Sequence, residues 1–180
     1  MDIVKYGDPV LRVRGQRIET ITDELRSLAE AMIETMRAAN GVGLAAQQVG
    51  HALQMAVVDV TGAEDEESAM IVDGEEVNLA EWSPMVLLNP ELDFGPAKET
   101  AKEGCLSFPG LTGSVTRPSE VSVKAQLIDG RHVEFHARGL FARAIQHEVD
   151  HLNGILFIDR MNSTTKAIIA GKLKKMQKGA

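Results

Sequence analysis

Between Thr22 and Ala39 apolar residues return at helical spacing, at Leu25, Leu28, Ala29, Met32 and Met36, the period of a helix with one buried face. Thr22 stands at the N-cap, Asp23 and Glu24 face the positive end of the dipole, and Asn40-Gly41 end the helix. The pattern then changes. Gln54–Val60 (QMAVVDV) is an unbroken apolar run of strand length, and Met85–Leu88 is a shorter one closed by Asn89-Pro90, with further strand expected over 91–102. After Pro118 the apolar positions alternate at Val121, Val123, Ala125 and Leu127, pause at Asp129-Gly130, and resume at Val133, Phe135 and Ala137. Alternation broken by Asp-Gly predicts a β-hairpin with a type I′ turn. Helical period returns over Gly139–Leu152, with Leu140, Ala144, His147, Glu148 and His151 on one face and Asn153-Gly154 as the stop. Gly154–Arg160 (GILFIDR) predicts a short strand or extended run, and Ser163 caps a last helix. Mixed strands and helices in this order predict an α+β fold.

Composition narrows the class. The chain of 180 residues is 44% hydrophobic and 25% charged, within the range of one soluble globular domain spanning 1–180. No apolar run approaches the roughly 18 residues of a membrane span. The opening MDIVKYGDPVLRVRG lacks the features of a signal or transit peptide, so a cytoplasmic, bacterial-type location is expected. The net charge of −7 is concentrated: residues 61–84 hold eight Asp and Glu and no Lys or Arg. This acidic stretch is expected to be a solvated loop or hairpin tip, or a partner surface. The segment 41–50 (GVGLAAQQVG) is small and apolar apart from two glutamines. By itself it is a helix-to-strand connection whose glycines permit close backbone approach. Gln48 can donate two hydrogen bonds without carrying charge.

The chemistry is carried by Gln146-His147-Glu148-Val149-Asp150-His151, an HExxH pattern. On a helix, His147 and His151 lie one turn and roughly 6 Å apart, so both can ligate one metal ion. Glu148 flanks that ion, placed to move the proton of a metal-activated water. The plain alternative is an accidental match on an ordinary amphipathic helix, which three fixed positions make rare. A catalytic site needs a third ligand, yet the 29 residues after His151 offer no His, Cys or Glu and only Asp159. His132 and His136 share a strand face, but about 13 Å of strand separates them, so they cannot share an ion. The single cysteine, Cys105, could be a core residue, a reactive thiol or a ligand. A thiolate suits a soft divalent ion, which points to a Cys105/His147/His151 set.

Three ordered segments, GVGLAAQQVG (41–50), EGCLSFPG (103–110) and QHEVDH (146–151), with DPVLR (8–12) and LFIDR (156–160), resemble the peptide deformylases over nearly the whole chain. That resemblance implies antiparallel β-sheets surrounding a central HExxH helix, with N-terminal and C-terminal helices. It implies removal of the N-formyl group from the initiator methionine of new polypeptides, with release of formate. It implies one Fe(II) per chain on Cys105, His147 and His151, replaceable by Zn(II), Ni(II) or Co(II). Glu148 would be the acid/base, and the Gln48 amide and Leu106 N–H would stabilise the oxyanion. Val42, Leu140 and Ala144 would wall the methionine pocket, and the peptide would add to a strand edge near Val42, Gly43 and Gly104. No membrane or DNA partner is expected. The lysines of the basic C-terminal helix (163–180) admit two readings, a contact with ribosomal RNA or simple solvation. The rival functions are an HExxH metallopeptidase and an inactive metal-binding homologue.

Overall fold

The computed structural model describes residues 1–63 and 67–178. Glu64, Asp65 and Glu66 of the acidic stretch lie outside the described residues, as do residues 179–180 and the Lys178 side chain of the basic tail. An N-terminal segment with a 3₁₀ turn at Pro9–Arg12 leads into α1 (Asp23–Ala38). Nine strands follow among the described residues: β1 (Gly43–Ala45), β2 (Met55–Val58), β3 (Ser68–Val72), β4 (Glu75–Val77), β5 (Met85–Phe94), β6 (Lys98–Gly104), β7 (Thr112–Pro118), β8 (Glu120–Leu127) and β9 (His132–Arg138). The chain closes with α2 (Gly139–Leu152), the single turn α3 (Phe157–Arg160) and α4 (Ser163–Lys178). Seven strands form one sheet in the order β1-β2-β5-β8-β9-β3-β4, and β6 pairs with β7 alone. Every strand pairing is antiparallel. This is the α+β architecture expected from the sequence.

The large sheet lies between two helices, and that explains its apolar runs. In β2, Met55 and Val57 face the side covered by α1, with Met32, Met36, Leu44 and Leu88. Val58 faces the other side with Phe135, Phe141 and Ile145, where α2 packs. A strand covered on both faces needs apolar residues at successive positions, so alternation disappears. Each such side chain contributes roughly 1.5–3 kcal/mol on burial. A third cluster joins Leu11, Phe108, Leu111, Phe157 and Ile169, tying α3 and α4 to the small β6–β7 sheet. No helix among the described residues is long and apolar enough to cross a membrane.

Local chemistry decides where the structure departs from the sequence pattern. Thr22 caps α1 as expected, its hydroxyl accepting from the Leu25 N–H at 3.2 Å. The last helix is capped one residue earlier than expected, by the Asn162 side chain accepting from the Thr165 N–H. GILFIDR is not extended throughout: Phe157–Arg160 is helical, because the Asp159 carboxylate reaches back to the Leu156 N–H. The predicted strand over 91–102 is two strands, separated at Gly95-Pro96. Asn89-Pro90 does not end β5 but bulges it. Asn89 adopts φ 50°, and its amide accepts from the Ile18 N–H and donates to the Ile18 carbonyl, in place of a neighbouring strand.

The Asp129-Gly130 hairpin turn is not type I′. Only Gly130 has positive φ, and Gly130 N–H donates to the Leu127 carbonyl within a three-residue loop. A type I turn followed by a left-handed glycine meets the same strand twist. Asp73-Gly74 is the pair in which both residues have positive φ, and it turns β3 into β4. The acidic stretch is therefore largely a hairpin, with β3 paired to β9.

Gly139 begins α2 at φ 63°, and a Cβ there would overlap the Glu67 carbonyl. Gly50 has φ 87° with nothing within 4 Å of its Cβ position. Gly50→Ala should therefore cost about 1–2 kcal/mol from backbone strain alone. Gly139→Ala should cost visibly more, and equal midpoints in urea unfolding would disprove this reading of the α2 start.

Candidate metal centre

Helix α2 presents His147 and His151 one turn apart, with ring centroids separated by 5.1 Å. Cys105 follows the last residue of β6, and its Sγ lies 3.3 Å from His151 Nε2. Glu103 Oε2 accepts from His147 Nδ1 at 3.0 Å, leaving Nε2 on the Cys105 side as the nitrogen that would ligate. The three donor atoms lie within 4.8 Å of one another. A tetrahedral ion with bonds of about 2.0–2.3 Å needs donors of this kind a little over 3 Å apart.

The electrostatics favour a cation. Burial opposes charge on His147, but hydrogen bonds to Cys105 and Glu103 outweigh it and raise its pKa well above the ordinary value. Burial and the neighbouring His147 push His151 well below it. A thiol and two imidazoles so placed fit a soft or borderline divalent ion.

Glu148 is 4% exposed, and its Oε2 is buried with no hydrogen-bond partner. Burial raises its pKa to about 7, where a carboxyl group can both accept and return a proton near neutrality. Gly43 makes the room for it, since a Cβ there would overlap Glu148 Oε1. Gln48 is held in one orientation. Its Oε1 accepts from the Ala45 N–H at 2.9 Å, so Nε2 is directed at Cys105 Sγ (3.5 Å) and Ser107 Oγ (3.3 Å). The N–H of Leu106 takes no part in the backbone hydrogen bonds described for this loop.

These groups open on a cleft of about 560 Å³. Val42, Gly43, Gly104, Leu140 and Ala144 all line it, together with Gln48, Cys105, Leu106, His147 and Glu148. A larger cleft of about 1050 Å³ lies along other residues of α2, including Gln146, Val149 and Asp150, and holds none of the three donors. Chemistry, not size, identifies the site. His132 and His136 stand apart on β9, with His136 Nδ1 2.9 Å from Ser122 Oγ.

Behind the donors is a charge cluster to which the sequence reading gave no role, although Glu103, Asp150 and Arg160 stand within its motifs. Glu103 accepts from Arg117 Nε at 2.6 Å and Nη2 at 3.0 Å, and from Arg143 Nη1 at 2.8 Å. Arg117 Nη1 donates to Asp150 Oδ2 at 2.8 Å, and Arg160 Nη2 to Asp150 Oδ1 at 2.6 Å. Burial alone would raise the Glu103 pKa. The hydrogen bonds from His147 and Arg117 and the charge of Arg117 hold it far below the usual carboxylate range. Glu103 therefore fixes the orientation of the His147 ring, the usual duty of an outer carboxylate behind a ligating histidine. Its sequence signal was its place at the head of the EGCLSFPG segment, two residues before Cys105.

A family model described as polypeptide deformylase matches residues 1–167. The chain belongs to the polypeptide deformylase family. It is thus a metal-dependent hydrolase, with the Cys-His-His site typical of that family. It is 44% identical to the peptide deformylase of Methylacidiphilum infernorum over 99% of this chain and 94% of that one. It is 46% identical to that of Opitutus terrae over 98% and 92%. Among solved structures, peptide deformylase 1B of Arabidopsis thaliana in complex with an inhibitor superposes with a TM-score of 0.85 at 36% identity, covering 99% of this chain and 91% of that one. An inhibitor complex of the Plasmodium falciparum deformylase gives 0.81 at 33% identity, covering 97% and 98%.

Arg117→Met in this deformylase leaves two buried carboxylates short of a cation and should cost about 3–5 kcal/mol in urea unfolding. It should also loosen the hold on His147, weakening metal affinity by about 10–100-fold in chelator competition. Arg117→Lys should rescue little, because a point charge cannot replace the two-pronged contact with Glu103. Unchanged stability in Arg117→Met would remove the cluster from the account of the site.

Proposed function

We propose that this deformylase removes the N-formyl group from the N-formylmethionine of newly made polypeptides, releasing formate and a free amine. The observation that carries the reading is the convergence of Cys105, His147 and His151 beside a buried Glu148, with Cys105, His147 and Glu148 lining a cleft together with Gln48 and Leu106. Cys105, His147 and His151 are the residues that would hold the metal. A bound divalent ion would supply Lewis acidity, polarising the formyl oxygen and lowering the pKa of water beside it. We take Fe(II) as the native ion, one per chain, with Zn(II), Ni(II) or Co(II) able to replace it. The sulfur and imidazole donor set suits all four.

The chain's own groups then divide the work. Glu148 Oε2, which has no other partner, accepts a proton from the attacking water as the oxygen bonds to the formyl carbon. As the carbon–nitrogen bond breaks, Glu148 returns that proton to the leaving amine. Gln48 Nε2 and the Leu106 N–H donate to the formyl oxygen as it becomes negative. Leu140 and Ala144 lie one turn apart on α2 beside Val42 and line an apolar wall for the methionine side chain. The outer edge of β1 has no strand partner among the described residues, and β6 has only β7. A peptide laid between them at Gly43 and Gly104 would gain backbone hydrogen bonds whatever its sequence, which suits a substrate that is every new chain.

The exposed lysines of α4, Lys166, Lys172, Lys174 and Lys175, support a contact with ribosomal RNA. Its affinity should fall steeply with salt. Changing all four to glutamate should abolish co-sedimentation with ribosomes, and retained co-sedimentation would end that part of the proposal.

The direct test is formate release from formyl-Met-Ala-Ser by anaerobically purified enzyme. Glu148→Ala should lose about 10²–10⁴ in turnover while keeping its ion. Gln48→Leu should lose about 10²–10³, and Cys105→Ala should lose the ion itself. Metal analysis of each variant separates these cases. Bound ion without formate release in the wild type would sink the reading. Chelation of the wild type should lower its melting temperature, because an ion bound only by the folded chain stabilises it.

A further inference from the structure

The chain carries a net charge of −7, yet the rim of its cleft has the opposite sign. Two carboxylates line the cleft, Glu103 and Glu148, and both are buried. Arg143 is committed to Glu103 and to the Val115 and Glu99 carbonyls. The exposed charges among the described lining residues are Lys5 and Lys102. Lys5 donates from Nζ to the Leu106 carbonyl at 3.0 Å, which anchors its ammonium at the mouth of the cleft. Lys102 lies on β6, three residues before Cys105, or about 10 Å of strand from it.

A peptide whose formyl carbon sits at Cys105, and which runs along the free edge of β6, passes Lys102 with its second and third residues. We infer that Lys102, assisted by Lys5, makes this enzyme favour nascent chains with acidic residues directly after the methionine, and disfavour those with basic ones. The inference rests on the deformylase reading above. It adds a selection by charge to a binding mode that otherwise reads only backbone. Because both ammonium groups are in contact with water, the preference is modest and sensitive to salt.

The test compares formyl-Met-Asp-Asp, formyl-Met-Ala-Ser and formyl-Met-Lys-Lys at low ionic strength, each variant being scaled to its own rate on the neutral peptide. The Asp-Asp peptide should exceed the Lys-Lys peptide by about three- to tenfold in kcat/KM, as expected for exposed charge pairs. The difference should lie in KM with kcat little changed, and should collapse towards unity near 0.5 M salt, where screening is strong. Lys102→Glu should reverse the order, and Lys5→Glu should shift it in the same direction by less. Equal rates on the two charged peptides, a preference for the Lys-Lys peptide, or an order untouched by Lys102→Glu would each overturn the inference. Failure on the neutral peptide as well would instead overturn the deformylase reading, and this inference with it.

Discussion

A carboxylate cut off from water must be matched by positive charge or it will not stay ionised, and at Glu103 that requirement links four parts of the chain. Glu103 lies near the end of β6, Arg117 on β7, Arg143 and His147 on α2, and Asp150 extends the chain of charges to Arg160 on α3. Any change in how β6 meets α2 would break several of these contacts together. The cluster therefore does more than add stability. It sets the register between the element that carries the sulfur ligand and the helix that carries both nitrogens. Cys105, two residues beyond Glu103, is delivered to the donor set as a by-product of that matching.

The helix α2 then has to serve three sides at once. Phe141, Ala142 and Ile145 are consumed by the large sheet, His147 and His151 by the site, and Gln146 and Asp150 by the Pro118 carbonyl and Arg117 of the small sheet. Ten of its residues are buried, so little of its surface is free to vary. A helix held on this many sides is a rigid platform, which suits a site whose donors must hold fixed positions.

Much of this was legible in the sequence because the signals are local and periodic. The spacing of His147 and His151, the alternation around Val123 and Phe135, and the cap at Thr22 each state their structure within a few residues. The lone Cys105 could be paired with the histidines because a catalytic ion needs a third donor and the chain offered no other good one. The losses have equally physical causes. Glu103, Arg117 and Asp150 look like surface charges in a sequence, since burial depends on partners far away along the chain. GILFIDR has the same apolar run in a strand or a helical turn, and one backbone contact from Asp159 decides between them. Two Asp-Gly pairs share a composition but not a turn type, because the loop length set by the flanking strands differs.

The acidic stretch proves to have an architectural side. Strand β3 covers part of β9, and β4, three residues long with Glu75 and Glu76 exposed, becomes the outermost strand of the sheet. A short, negatively charged border of this kind is a poor template for another chain. At the opposite border, β1 is buried, but its outer edge has no strand partner among the described residues, and Gly43 lines the cleft. If substrate peptides pair with this edge, as proposed above, the same edge offers itself to other copies of the chain. The hairpin closes off the border that has no client, so that self-association has one fewer place to begin.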